Sequence, residues 1–161
     1  MAFRSTRVFA SALALFAPGL VEAGLLDTTA PGFPDGAPAI VVYRMGPVHY
    51  EQGHVDTVVK CESIDDAQIQ VAIEIFDDSD VRVGEVARAV LAPGESVSFV
   101  TTADAASLRR VVLQGLPPLD HGKARVSATT AKLNCTAYNR IIGGDGSTSQ
   151  SVLELIKKVA R

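Results

Sequence analysis

Residues 68–102 read QIQVAIEIFDDSDVRVGEVARAVLAPGESVSFVTT, and this stretch decides the fold class. Isoleucine and valine alternate with other residue types over 69–76, the period-two pattern of a β-strand with one buried face. An acidic turn and a Pro93-Gly94 turn separate this run from two further β-rich runs, 81–91 and 97–101. The pattern predicts an antiparallel meander of three strands, whose apolar face needs a second sheet or a helix to cover it.

The rest of the chain contributes mainly more strand-like runs, separated by turn residues. The longest of them, 124–138, changes the parity of its apolar positions, so we expect a bulge or bend near Ala131-Lys132. Residues 44–53 are predicted to form a loop, and 103–108 suit either a helical turn or a crossover loop. Residues 151–159 fit both a helical face and a last strand. The further predicted strands are 39–43, 55–61 and 110–114. The sequence therefore predicts an all-β, antiparallel β-sandwich of about seven or eight strands, with a short C-terminal helix as an open alternative.

The first 23 residues have the three regions of an export signal. Arg4 and Arg7 precede an apolar run, 8–17, and Val21-Glu22-Ala23 offers a cleavage site. The apolar run is shorter than the roughly 20 residues that a membrane-spanning helix needs. A buried N-terminal helix is the alternative. We expect a signal peptide over 1–23, a secreted or periplasmic protein, and no membrane attachment once the signal is removed.

Composition limits the domain count and the partners. A proline- and glycine-rich stretch over 24–38 is typical of an extended leader, which leaves 39–161 as a single sandwich domain. Removal of the signal takes away Arg4, Arg7 and Glu22, so the formal charge moves from −3 to −4. An acidic chain without a basic run is a poor binder of nucleic acid.

The chain has two cysteines, Cys61 and Cys135, both within strand-like runs. In an exported protein two cysteines usually pair, so we expect a disulfide between them, with two buried thiols as the alternative. The bond would join an early strand to a late one. The comparable bond of immunoglobulin-like sandwiches links their two sheets.

Three segments carry a family resemblance: Val58-Val59-Lys60-Cys61-Glu62, the alternating run Ile69–Phe76, and Leu91-Ala92-Pro93-Gly94-Glu95-Ser96. Together they resemble the small immunoglobulin-like modules of secreted and surface bacterial proteins, including the cell-adhesion-related type, many of unknown function. The run 124–138 also resembles small exported bacterial proteins of unknown function. The resemblance implies an immunoglobulin-like sandwich and no particular activity.

His49, Glu51 and His54 are candidate metal ligands within six residues. Imidazole and carboxylate groups bind zinc or copper, and His121 could supply a further ligand from elsewhere. The spacing matches no recognised zinc motif, and solvated histidines on a polar loop are the ordinary alternative. No metal is therefore favoured at these residues.

Other motifs are incomplete. The aspartates at 65, 66, 77, 78 and 80 lack the glycine and glutamate of a calcium loop, and the two groups should lie at opposite ends of one strand, so turn formation explains them better. The glycine-rich segment 143–147 lacks the lysine of a phosphate-binding loop. Asn134-Cys135-Thr136 matches a glycosylation acceptor by chance, and no catalytic serine or cysteine motif occurs.

These observations favour an exported, non-catalytic β-sandwich that needs no cofactor and acts as a surface, envelope or adhesion-type binding module. Its partner would be a protein or glycan that the sequence does not identify. The alternative is a metal or small-ligand binding protein that uses the loop around His49 and His54. A secreted hydrolase is a weaker third possibility.

Overall fold

The computed structural model describes residue 30 and residues 32–102 and 109–157, and these described residues form ten β-strands and no helix. The predicted signal peptide, 1–23, and the open choice between helical turn and loop at 103–108 lie outside the described residues. No helix in the described part of the chain is long and apolar enough to cross a membrane. The strands are β1 (Ile40–Tyr50), β2 (Val55–Ser63), β3 (Ile69–Phe76), β4 (Arg82–Leu91), β5 (Ser96–Val100), β6 (Arg110–Val112), β7 (Leu119–Ala128), β8 (Leu133–Ile142), β9 (Thr148–Leu153) and β10 (Leu155–Lys157).

The strands form two five-stranded sheets. Sheet A has the order β10-β1-β7-β3-β4, and sheet B has the order β6-β5-β2-β8-β9. Neighbouring strands run antiparallel except β5 and β6, which are parallel. The predicted all-β class is confirmed, although the described residues contain more strands than the seven or eight expected. One extra strand arises because the predicted run 124–138 forms two strands, β7 and β8. The C-terminal segment contributes β9 and β10, to which 151–153 and 155–157 belong, because sheet pairing overrides its helical periodicity.

One hydrophobic core lies between the sheets and draws on both of them. Sheet A contributes Val71, Ile73 and Val126, and sheet B contributes Val59 and Phe99. The Tyr43 hydroxyl crosses this core from sheet A and donates a hydrogen bond to the Leu133 carbonyl oxygen of sheet B, at 2.9 Å. The two sheets therefore share one interior, as in a β-sandwich.

The predicted three-stranded meander is wrong in its third strand. β3 pairs with β4 in sheet A, but β5 lies in sheet B and pairs with β2. The turn before β5 is tied to the end of β2, because Ser63 N donates to the Glu95 carbonyl oxygen at 2.9 Å and Gly94 N donates to the Ser63 carbonyl oxygen at 3.1 Å. These two bonds direct the chain across the sandwich rather than back along β4.

β3 is buried on both faces, whereas its alternating sequence predicted one buried face. The side chains of Ile73 and Ile75 enter the core, and those of Glu74 and Phe76 on the opposite face are also buried. The Glu74 carboxylate is paired with the guanidinium of Arg125 on β7, at 2.7–2.8 Å. This ion pair lets a charged residue occupy a buried position of a central strand.

The end of β1 and the division of the run 124–138 differ from the prediction. β1 continues to Tyr50 through the predicted loop 44–53, because β7 pairs with it as far as Leu119, with register shifts along the way. The run 124–138 is two strands: β7 ends at Ala128 in sheet A and β8 begins at Leu133 in sheet B. The parity change therefore marks a bend between the two sheets, close to the predicted Ala131-Lys132.

Cys61 and Cys135 form the predicted disulfide. The two residues are direct partners on the neighbouring strands β2 and β8, with Cα atoms 4.1 Å apart. The bond thus lies within sheet B, unlike the bond of immunoglobulin-like sandwiches that links two sheets. A disulfide is consistent with an oxidising compartment outside the cytoplasm.

Candidate functional site

All three histidines of the chain lie at one end of the sandwich, which we call the histidine end; it comprises segments 49–55, 77–83, 113–122 and 143–147. Antiparallel pairing explains this, because the end of β1 and the start of β7 and β2 meet there. Asp65 and Asp66 precede β3 and Asp77 follows it, so the two aspartate groups lie at opposite ends of that strand, as predicted.

His49 and His121 are brought together across strands β1 and β7. Their ring centroids are 5.8 Å apart, with the rings tilted by 59°. His121 is exposed and His49 is half-buried, whereas His54 and Glu51 are exposed on the turn between β1 and β2. Among the described residues no three or more histidine, cysteine, aspartate or glutamate side chains are grouped closely enough to hold a metal ion.

A buried polar network lies beneath His49, between the two sheets. The Thr57 hydroxyl accepts a hydrogen bond from His49 N at 3.0 Å and lies 2.9 Å from His49 O and 2.6 Å from Asn139 Oδ1. Asn139 Nδ2 donates to the Pro47 carbonyl oxygen at 3.2 Å. Since buried polar groups are stable only when hydrogen-bonded, these contacts fix the end of β1 against sheet B.

A second network occupies the outer face of sheet B. The Asp56 side chain is fully buried. Its carboxylate accepts a hydrogen bond from Arg140 Nε at 3.0 Å and a second hydrogen bond from Arg140 Nη2. The Thr102 hydroxyl donates to Asp56 Oδ2 at 3.1 Å. Asp56 and Thr57 are adjacent on β2 and therefore point to opposite faces of the sheet, so the two networks lie on opposite sides of β2.

Between these networks and the loop after β6 lies a concave site of about 360 Å³, which we call the Tyr50 cavity. None of its described lining residues is charged: they are Tyr50, Gln52, Gly53, Thr101, Thr102, Val112, Leu113, Gln114, Gly115 and Leu116. Two of its hydroxyl groups are held in place. Thr101 Oγ1 accepts a bond from Thr57 N at 2.9 Å, and Thr102 Oγ1 donates to Asp56.

Both threonines are buried residues of the cavity wall, and their hydroxyls retain complementary hydrogen-bonding capacity. Because Thr101 Oγ1 accepts from Thr57 N, its own proton remains for another acceptor. Because Thr102 Oγ1 donates to Asp56, its lone pairs remain for another donor. The cavity therefore combines an oriented donor, an oriented acceptor, two side-chain amides and one aromatic ring.

A second depression, about 400 Å³, lies on the other side of segment 113–122. Its polar lining comes from Asp77, Asp78, Asp120 and His121. Asp77 Oδ1 is already engaged, because it accepts bonds from Ser79 N at 3.0 Å and from Val81 N at 2.8 Å. This is the turn chemistry by which aspartate bonds to the backbone that follows it.

The glycine-rich segment 143–147 is the hairpin turn between β8 and β9. Gly143 N donates to the Ser147 carbonyl oxygen at 2.8 Å, and Gly146 N donates to the Gly143 carbonyl oxygen at 2.9 Å. The hydroxyl and backbone N–H of Ser147 bind the Asp145 carboxylate and lower its pKa. The backbone amides that close this turn are used within the turn itself.

Several residues of the site gave no signal in the sequence. Asp56 and Arg140 are 84 residues apart, and Thr57 and Asn139 are 82 residues apart, so neither pair forms a motif. Asp56 and Thr57 are polar residues inside the predicted strand 55–61, and that feature is the available clue to a buried network. Asn139 and Arg140 lie just beyond the predicted run 124–138. The Tyr50 cavity depends on which loops meet, which requires the order of the strands.

Comparisons with known proteins give no match: no family model, no curated protein and no solved structure matches this chain. A function must therefore be argued from the site itself.

Proposed function

We propose that this protein is an exported, non-catalytic, immunoglobulin-like binding module that takes a neutral glycan in the Tyr50 cavity. Glycan hydroxyls both donate and accept hydrogen bonds. The observation that carries the proposal is the pair of fixed hydroxyls, Thr101 and Thr102, one left with a proton and the other with lone pairs. The described lining residues carry no charged side chain, which suits a ligand without charge.

The aromatic ring of Tyr50 and the amides of Gln52 and Gln114 complete this chemistry. A tyrosine ring offers apolar contact area and a polar tip, which suits the mixed surface of a sugar. Side-chain amides supply one acceptor and two donors each. Such a set of convergent polar groups in a concave site is the usual basis of ligand specificity.

The pairing of the strands supports the immunoglobulin-like part of the proposal. β2 lies beside β5 in one sheet and β3 lies beside β7 in the other. This resembles the immunoglobulin arrangement, in which strand B lies beside E and strand C lies beside F. The disulfide supports export, because such bonds persist in oxidising compartments.

The test is a glycan-array screen of the full chain, produced with its disulfide formed, followed by calorimetric titration with each neutral glycan that is retained. We expect Tyr50→Ala to weaken binding by about tenfold, because loss of an aromatic contact removes roughly 1–1.5 kcal/mol. Tyr138→Ala is the matched control, since Tyr138 is a half-buried tyrosine on a different face. Retention of acidic glycans alone, no retention at all, or equal binding by Tyr50→Ala would contradict the proposal.

A second candidate function is the binding of a transition-metal ion, and the pairing of His49 with His121 favours it. Two imidazoles on neighbouring strands can chelate zinc or copper, with water in the remaining positions. In this candidate site His49 binds the metal together with His121, whereas the sequence suggested His49 together with His54 as candidate ligands.

Zinc titration followed by calorimetry separates the possibilities. We expect His49→Ala and His121→Ala each to abolish the binding of one zinc ion, and His54→Ala to leave it unchanged. Equal loss of zinc binding in all three variants would favour a metal site in the loop around His49 and His54. No zinc binding by the unaltered protein would rule out both versions.

A further inference from the structure

The four edge strands of the two sheets differ in how they are protected. In sheet A, β4 carries Arg82, Glu85 and Arg88 and has an irregular register with β3, and β10 is three residues long. In sheet B, β6 is also three residues long. Charges, bulges and short length are the devices by which proteins prevent an edge from pairing with another chain.

The fourth edge, β9, lacks these devices. Its sequence, Thr148-Ser149-Gln150-Ser151-Val152-Leu153, contains no charged residue and no proline, and its register with β8 is regular. Its first five residues are exposed, and Val152 is 87% exposed. Within the described part of the chain, β9 is the longest run of regular, uncharged edge strand.

Among the described strands none pairs with the outer edge of β9, and the hydrogen bonds around β8 show which backbone groups of β9 face that edge. Gly143 N bonds to Ser147 of the β8–β9 turn, whereas Ile142 N bonds to His54 on the β2 side. The short Cα separation of Cys61 and Cys135, 4.1 Å, identifies them as a pair without mutual backbone bonds. Odd-numbered residues of β8 therefore bond to β9. By the same alternation, the N–H and C=O groups of Gln150 and Val152 point away from β8 to the open edge.

We propose that β9 pairs antiparallel with β9 of a second copy of this chain, so that the two copies of sheet B become one continuous sheet. Antiparallel self-pairing requires facing residues on the same side of the sheet. A register that places Gln150 opposite Gln150 and Val152 opposite Thr148 meets this requirement. These residues also direct their backbone N–H and C=O groups towards the open edge. The Val152–Thr148 contact is a pair of β-branched residues, which stabilises neighbouring strands.

The side-chain charges favour self-pairing at the β9 edge over self-pairing at the β4 edge. The full chain carries a formal charge of −3, so two copies repel each other weakly at long range. The uncharged β9 brings no charged side chain of either copy into the strand pair, whereas self-pairing of β4 would align charged residues. One strand pair buries little area, so the dimer should be reversible and of low affinity.

The test is sedimentation velocity of the full chain, with its disulfide formed, at concentrations from about 5 to about 500 µM, a range that covers weak dimers. We expect the sedimentation coefficient to rise from that of a monomer towards that of a dimer. Gln150→Pro removes one outward N–H, and Val152→Lys adds a charge at the edge; each should weaken the dimer by about tenfold or more. Val90→Lys is the matched control on β4, and it should leave dimerisation unchanged.

A covalent measurement tests the register. Under oxidising conditions Gln150→Cys should form a disulfide-linked dimer, because facing residues of a strand pair lie within disulfide range. Val90→Cys should not form one at the same rate. Circular dichroism and thermal melts of every variant establish that each remains folded. A monomer at all concentrations, or a dimer that persists in Gln150→Pro and Val152→Lys, would overturn the proposal.

Discussion

At the scale of single residues, the ion pair between Glu74 and Arg125 is the most demanding feature of the fold. Both side chains are 3% exposed, and the Arg125 guanidinium lies 5.2 Å from the centre of the Phe76 ring. A buried charge without its partner is strongly destabilising, whereas replacement of both partners by apolar residues is often neutral. Each charge of the pair therefore offsets the cost of burying the other charge.

We expect Glu74→Ala to lower the free energy of unfolding by about 3–5 kcal/mol, because it removes the buried carboxylate that compensates the Arg125 charge and that also faces Arg82 at 3.7 Å. The double variant Glu74→Leu/Arg125→Met should lose much less. Chemical denaturation measures both. Glu85→Ala on the exposed edge is a control that should change little, and a double variant as unstable as the single one would contradict this explanation.

A second residue-scale prediction concerns acid. Arg109 and the backbone N–H of Ala92 hold the pKa of the Glu95 carboxyl below its ordinary value of 4.5. Because the pKa is lowered on folding, this stabilisation is complete above about pH 4.5 and is lost as the pH falls through the folded pKa. Glu95→Gln should therefore lower the melting temperature at pH 7, and the difference should shrink towards zero at acidic pH. A difference that is constant with pH would contradict this.

Sequence was informative about residues with a local signature and uninformative about distant pairs. The bond between Cys61 and Cys135 was predictable because the sequence leads us to expect export, and each of two cysteines has one possible partner. Glu74 and Arg125 are separated by 51 residues, and alternation alone placed Glu74 on a solvent-facing side of β3. The burial of that side follows from the surroundings of the strand and not from its own sequence.

At the scale of strands, the disulfide links β2 to β8 in the middle of sheet B. It closes a segment with a sequence separation of 74 residues. The chain-entropy model gives a stabilisation of about 4 kcal/mol for a loop of this length. We expect the double variant Cys61→Ala/Cys135→Ala to lose up to about that amount in chemical denaturation. Unchanged stability would show that the bond does not constrain the unfolded chain.

The irregular part of β4 gives another prediction at this scale. Gly84 has φ +68°, and a Cβ atom there would lie 2.7 Å from the Gln114 carbonyl oxygen and 2.8 Å from Leu116 Cδ2, both in the wall of the Tyr50 cavity. Gly84→Ala should therefore cost more than the roughly 1–2 kcal/mol of backbone strain alone.

Gly94→Ala is the matched control for that substitution. Gly94 has a similar φ of +73°, and a Cβ atom there would meet nothing within 4 Å. Its loss of stability should reflect backbone strain alone. Equal losses in the two variants, measured by thermal melts, would mean that the contacts with Gln114 and Leu116 are easily relieved.

Strand positions were largely predictable, and strand partners were not. Alternation located β2, β3 and β5, and β-rich composition between turn residues located β4, each to within two residues, because these signals are local. The transfer of β5 to sheet B depends on bonds between the 92–95 turn and Ser63, some 30 residues earlier. The end of β1 appeared to be a loop because Gly46 and Pro47 interrupt its pattern, yet pairing with β7 keeps it extended.

At the scale of the whole molecule, the two sheets bring loops that are distant in sequence to the histidine end. The Tyr50 cavity joins residues 50–53 to residues 101–102 and 112–116. No local pattern relates these three segments, so the sequence identified His49, Glu51 and His54 but not the cavity beside them. The sandwich supplies a rigid base, and the buried networks of Thr57 and Asp56 orient the hydroxyls of Thr101 and Thr102 in the cavity wall.

Our proposal requires that ligand binding be confined to the Tyr50 cavity. The most direct measurement is a titration of isotopically labelled protein with a neutral glycan retained on the array, followed by backbone amide NMR. We expect saturable shifts at the cavity residues Tyr50, Gln52, Thr101, Thr102 and Gln114, and no shifts around Lys60 and Thr136 on the face of sheet B near the disulfide. Saturable shifts at Lys60 and Thr136 with none at the cavity would contradict it.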